Sequence, residues 1–162
     1  MKHLARRPAA AALALCLSAA ATTVAFGQHP GGAHRMVMPA DLKWADVPSL
    51  PPGAKITVIE GPMNEAVPFT IRLKFPKDYT IPAHSHPAIE RVTVLSGTFH
   101  MGTGDKLDKT KTHALSAGAI GIMQPGTNHY AWTAEETIVQ LNGNGPWGIT
   151  YVDPKDDPRK SQ

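Results

Sequence analysis

Seven short runs rich in β-branched and aromatic residues recur along this chain, and no sustained helical pattern competes with them. They are residues 55–60 (KITVIE), 69–75 (FTIRLKF), 89–95 (IERVTVL), 98–102 (TFHMG), 119–123 (AIGIM), 137–141 (TIVQL) and 147–152 (WGITYV). Gly, Pro, Asn or Asp punctuates them, as turns require. Ile71, Leu73 and Phe75 alternate with Arg72 and Lys74, a period of two. No 3.6-residue period survives over three turns after residue 27, and no long internal repeat is visible. Many short strands separated by tight turns predict an all-β sandwich or closed barrel. The 15 Pro and 14 Gly agree with that. A chain of 162 residues suits one such domain. With 42% hydrophobic and 18% charged residues, it is not a disordered polymer.

The formal charge of +3 is misleading. Residues 1–27 read as a secretory signal peptide. Lys2, Arg6 and Arg7 make its basic start, residues 9–21 its Ala/Leu-rich centre, and Ala25-Phe26-Gly27 its cleavage site. The apolar run is short for a membrane span. Cleavage removes three of the 16 basic residues and none of the 13 acidic ones, leaving 13 of each. A neutral mature chain gives no argument for nucleic acid or an anionic membrane as partner. The single Cys, Cys16, leaves with the signal peptide, which excludes a disulfide framework or a thiolate metal cluster. Export to the periplasm or the exterior is the expectation. Residues 28–52 then form an N-terminal arm, pinned by Leu42, Trp44 and Val47. Residues 53–152 form the barrel, and residues 153–162 (DPKDDPRKSQ) a polar C-terminal tail.

The chemistry concentrates in residues 82–90 (PAHSHPAIE). His84 and His86, two apart on an extended segment, point to one face. Glu90 opens the next strand with a carboxylate free to return to the same point. His129, after the turn-forming Pro125-Gly126, is a fourth candidate. Three imidazoles and one carboxylate make a mixed N/O set that suits Mn, Fe, Ni, Cu or Zn without selecting among them. With four protein ligands, an octahedral metal keeps two open positions, as a catalytic site needs.

The pattern His84-x-His86-x3-Glu90-x6-Gly97 resembles the first conserved motif of the cupin superfamily. Gly118, Pro125-Gly126 and His129 resemble its second. Two departures stand out. Asp78 occupies a position where the family often has Gly. Pro125 and His129 are one residue closer than usual, with Thr133 where Asn is common. The resemblance implies a double-stranded β-helix (jelly-roll) barrel holding one divalent transition metal on His84, His86, Glu90 and His129. It implies a small-molecule substrate or ligand and a homodimer joined through exposed edge strands. The first function it suggests is a metal-dependent enzyme acting on a small oxygenated molecule: a dioxygenase, decarboxylase, isomerase or lyase. Within that class the leaning is towards O2-dependent cleavage of a small diketone or phenolic compound. The alternatives are a non-catalytic periplasmic metal- or ligand-binding cupin, and a barrel whose metal only supports stability.

Other residues carry weaker expectations. Val92 and Val94 should follow Glu90 inward. Met123 and Trp132 are read as core, and Arg72 as outward-facing. Tyr130 and Gln140 are candidates for orienting a substrate. His100 is a pocket residue or an outward strand residue. His113 faces solvent, and His29 and His34 belong to the arm. The Trp147 region is a candidate for the dimer interface.

Overall fold

The computed structural model describes residues 34–160. The signal-peptide reading of residues 1–27, His29 and the last two residues lie outside them. The compact unit is Met36–Gln162. Its strands are β1 (Ala45–Asp46), β2 (Lys55–Glu60), β3 (Pro68–Phe75), β4 (Thr80–Ser85), β5 (Glu90–Ser96) and β6 (Thr98–Thr103). They continue with β7 (His113–Ser116), β8 (Ile120–Met123), β9 (His129–Thr133), β10 (Thr137–Asn144) and β11 (Thr150–Tyr151). They build two antiparallel sheets, ordered β1-β2-β3-β10-β5-β8 and β11-β4-β9-β6-β7. This is the all-β jelly roll expected from the sequence.

The period-two pattern sets the core. On β3, Phe69, Ile71, Leu73 and Phe75 are buried while Arg72 and Lys74 are not. Register carries these residues into rows across the six-stranded sheet. Ile71 pairs with Leu141 and Leu141 with Val92; Leu73 pairs with Val139 and Val139 with Val94. The five-stranded sheet answers with Ile81, Phe99, Met101 and Ala131. At one end Phe75 stacks on Tyr79 and Phe99, with ring centroids 5.3 and 5.5 Å apart, and closes the barrel with aromatic surface. At the other end the rows finish on polar side chains.

Two turns explain residues that the motif singles out. Gly97 joins β5 to β6 with φ +73°, and a Cβ there would come within 2.6 Å of the Glu136 carbonyl. Only glycine fits that corner. Asp78, on the turn between β3 and β4, has φ 61°. That is the left-handed conformation that glycine would take without strain, and Asp is one of the few residues that tolerate it. The departure at position 78 therefore preserves the turn.

The described segments on either side of the main strands fold onto the barrel. β1 pairs with β2, Leu50 is buried, and Val47 packs on the core. Tyr79 OH donates to the Pro51 carbonyl, and Tyr151 OH to the Ser49 carbonyl at 2.8 Å. Burial pushes both phenols above their usual pKa. Residues 153–160, read from sequence as a solvated tail, form two 3-10 turns, Pro154–Asp156 and Pro158–Lys160. Asp157 is buried between them and holds Arg159 Nε at 2.7 Å and Nη2 at 2.8 Å. The Asp157–Arg159 pair satisfies its own charges, while Asp153, Lys155, Asp156 and Lys160 stay exposed.

Candidate metal centre

His84 reaches the interior because β4 is irregular. Ile81 pairs with Ala131 and His84 with His129, so three steps on β4 match two on β9. Strict alternation from the buried Ile81 would turn His84 outward. The extra residue, a β-bulge, switches the parity and turns it in. His86 follows just beyond the strand. His129 opens β9 opposite His84, and Glu90 opens β5 in the facing sheet. Pro125-Gly126 sets the approach to His129. Thr127 N–H donates to the Gln124 carbonyl at 3.1 Å, closing a turn with Gly126 at φ +73°. Gly126 N–H donates to the His86 carbonyl at 2.9 Å. The shortened spacing thus still brings His129 to the other three.

The three imidazoles are buried, and their ligand nitrogens lie within 4.8 Å of one another. Among the described residues this is the His/Cys/Asp/Glu group placed to hold a metal ion. Glu90 closes on two of them, with Oε1 3.5 Å from His86 Nε2 and Oε2 3.1 Å from His129 Nε2.

Each ring is fixed through its other nitrogen. His84 Nδ1–H donates to the Pro82 carbonyl at 2.7 Å, and His129 Nδ1–H to the Thr127 carbonyl at 2.9 Å. His86 Nδ1–H donates to the Gly148 carbonyl at 2.6 Å. A carbonyl only accepts, so these bonds assign the Nδ1 proton and leave three Nε2 lone pairs aimed inward. This is the outer-shell arrangement that holds metal-binding histidines. His86 Nε2 and Glu90 Oε2 are buried without a hydrogen-bond partner. Acceptors facing acceptors in a buried site demand a cation. Burial, with His129 and His86 nearby, holds the His84 pKa well below its usual range, and burial lowers that of His86. Burial also pulls His129 down, but the Glu90 carboxylate, its Oε2 3.1 Å from Nε2, and the Thr127 carbonyl outweigh it and raise the pKa. Either a proton or a metal ion satisfies the His129–Glu90 pair. The donor set therefore fits a divalent transition metal.

The cluster faces a cavity of about 230 Å3 between the sheets, walled by the apolar core rows. Trp147 lies over His86, ring centroids 4.2 Å apart and planes within 17°, and also meets Phe69. The sequence offers the Trp147 region only as a candidate for a dimer interface. The neighbouring Gly148 supplies the carbonyl that fixes His86, and no local signal shows that link across 62 positions.

Other candidates fall elsewhere. Val92 and Val94 face inward, and Met123 packs against the core. Gln140 pairs across strands with Arg72, its Oε1 accepting from Nε at 3.1 Å, on the face opposite the buried Val139 and Leu141. Tyr130 is buried against Gly102, outside the cavity lining. Trp132, read as core, is half-buried and stacks on His100 at 3.8 Å, with Lys109 Nζ 4.6 Å from its ring. His113 and His34 are exposed.

Solved structures similar to this one share the fold. The polyketide cyclase RemF from Streptomyces resistomycificus is 15% identical, with a TM-score of 0.65 over 78% of this chain and 91% of its own. KdgF from a Halomonas species is 18% identical, with a TM-score of 0.56 over 68% of this chain and 93% of its own. An oxalate oxidase is 25% identical, with a TM-score of 0.51 over 67% of this chain and 59% of its own. No curated protein matches the sequence. The model of the ChrR cupin-like domain matches residues 32–147, which include both motifs and all four candidate ligands. This chain therefore belongs to the ChrR cupin-like domain family.

Proposed function

We propose that the protein is an exported cupin metalloenzyme acting on a small oxygenated organic molecule, with one divalent transition metal on His84, His86, Glu90 and His129. One observation carries the reading: three histidines with carbonyl-fixed Nδ1 protons and a buried carboxylate converge on orphaned acceptors. A bound metal would supply Lewis acidity or, if redox-active, electrons for O2 chemistry. Arg159 is the other ionisable side chain among the cavity-lining residues, and an arginine stays protonated. Among the described residues the cavity lining thus holds no general base separate from the four candidate ligands, which favours chemistry centred on the metal. A dioxygenase-like cleavage of a small diketone or phenolic compound suits that constraint.

The same constraint favours a second reading, a non-catalytic periplasmic cupin that binds a metal or small ligand. Export rests on the basic and apolar character of residues 1–27 and the absence of Cys after them. A homodimer is part of the proposal. Strand β8 forms an edge of the six-stranded sheet and exposes Ile120 and Ile122, an edge that a monomer leaves uncovered.

Elemental analysis of untagged protein, beside a His84→Ala/His129→Ala variant, tests the core claim. About one transition metal per chain, lost in the variant, is expected. Metal retained by the variant, or none bound after reconstitution, refutes the site. Turnover with O2 and candidate diketones or phenols separates the enzyme from the binding protein.

A further inference from the structure

We infer that the ligand of this cavity is a small organic monoanion with one oxygen-donor end and an otherwise apolar body, and that sugars, polyols and dianions are rejected. The inference rests on the metal-centre reading and adds the ligand class. Three observations carry it.

The first is the wall. Besides the four candidate ligands, Ser49, Trp147, Gly148 and Arg159 put polar groups on the lining, but the walls that lead away from the histidines are Leu73, Phe75, Val92, Phe99, Met101 and Val139. All are buried apolar side chains, without a donor or acceptor for a hydroxyl. A polyol placed there would lose its hydrogen bonds to water and find no replacement. Removing polar groups from the ligand, and not adding them, improves its fit.

The second is size. A cavity of about 230 Å3 lies below the roughly 300–1,000 Å3 of sites for drug-sized ligands. A body of a few carbons fills it.

The third is charge. Three neutral imidazoles and one carboxylate around a divalent ion leave a net charge of about one positive unit. One anionic oxygen neutralises it. A second anionic charge needs another cation, and the cationic side chain of the lining is already committed. Arg159 is locked by Asp157 through Nε and Nη2, with Nη2 also donating to the Ile149 carbonyl at 3.1 Å. That pair is neutral as a unit, so a dianion would leave an uncompensated charge inside an apolar wall.

Six-carbon acids separate these terms. Hexanoate is an apolar monoanion, adipate a dianion of the same length, and gluconate a hydroxylated monoanion. Binding is measured by calorimetry on the full mature protein loaded with zinc, where no redox turnover intervenes. Hexanoate is expected to bind at least tenfold more tightly than either competitor. Equal or tighter binding of adipate or gluconate overturns the inference, as does failure of hexanoate to bind at millimolar concentration. Asp157→Asn frees Arg159 and should narrow the gap between hexanoate and adipate while leaving that between hexanoate and gluconate unchanged. If the adipate gap does not move, the charge argument fails. The same titrations on His84→Ala separate the wall from the charge. A preference for hexanoate over gluconate that persists there without metal leaves the apolar-body argument standing and overturns the charge argument, while the metal content of the parent protein tests the underlying reading separately.

Discussion

Among the described residues, two histidine–tryptophan stacks have nearly the same geometry. Inside, His86 lies against Trp147 with centroids 4.2 Å apart and planes 17° from parallel. On the outer face of the five-stranded sheet, His100 lies against Trp132 at 3.8 Å and 12°. The residue types and the stacking are alike, yet only the first pair belongs to a candidate metal centre. The difference lies in the second nitrogen and the neighbours. His86 has its Nδ1 proton committed to a buried carbonyl, its Nε2 orphaned, and two more imidazoles and a carboxylate converging on it. The outer stack has Lys109 4.6 Å from the Trp132 ring, and Trp132 Nε1–H donates to the Thr112 hydroxyl at 3.3 Å. An aromatic neighbour orients a histidine; a fixed tautomer and convergent donors make it a ligand.

Removing the two histidines gives the largest contrast. His86→Ala should lower metal affinity by about 100-fold or more, since even losing an outer-shell partner costs 10–100-fold. His100→Ala should leave metal content unchanged. Thermal unfolding with and without chelator reads the same contrast as stability. Metal at about a thousand times its Kd stabilises by about 4 kcal/mol, an increment that His100→Ala should keep and His86→Ala should lose. Equal effects from the two variants would break the comparison.

Exchanging the tryptophans gives a smaller effect. Trp147→Leu keeps an apolar side chain but removes the plane against His86, and metal affinity should fall by about tenfold. Trp132→Leu should leave metal affinity alone and cost about 1 kcal/mol of stability, from one aromatic pair and one exposed cation–π contact. Metal titration and denaturant melts on both variants distinguish the two roles. A metal-affinity loss in Trp132→Leu would mean that the outer stack supports the site through β9.

The same contrast explains what the sequence could and could not reveal. Local signals identify the strands, because alternation on β3 and the turn residues between runs act over a few positions. Glu90 opening β5 implied inward Val92 and Val94, and the register confirms that row. The four candidate ligands were recognisable by type and spacing. Their placement was not, because the parity of His84 depends on a bulge between β4 and β9 that simple alternation would miss. The support for His86 comes from Trp147 and Gly148, distant in sequence and visible only once β11 pairs with β4. Trp132, read as core, is half-buried for a related reason: a half-apolar strand does not say which face holds a large polar-tipped side chain. Residues 153–160 are mostly exposed, as their polar composition implies, but the Asp157–Arg159 pair inside them is not visible in that composition.

The smallest prediction separates the barrel from its site. Asp78 is exposed on the β3–β4 turn with φ 61°, at the end of β4 away from His84. A left-handed conformation costs an ordinary L-residue about 1–2 kcal/mol, and Asp less, because its short side chain bonds locally. Asp78→Ala lacks that relief and should lower stability by about 1 kcal/mol. Asp78→Gly removes the strain but adds about 0.5–1 kcal/mol of chain entropy to the unfolded state, so the terms nearly cancel. Its stability should stay within about 0.5 kcal/mol of the parent, read by denaturant midpoint at constant m. Neither variant should change metal stoichiometry or the chelator-dependent shift in Tm. A loss of metal in Asp78→Ala would show that the turn sets the β4 bulge and, through it, the parity of His84.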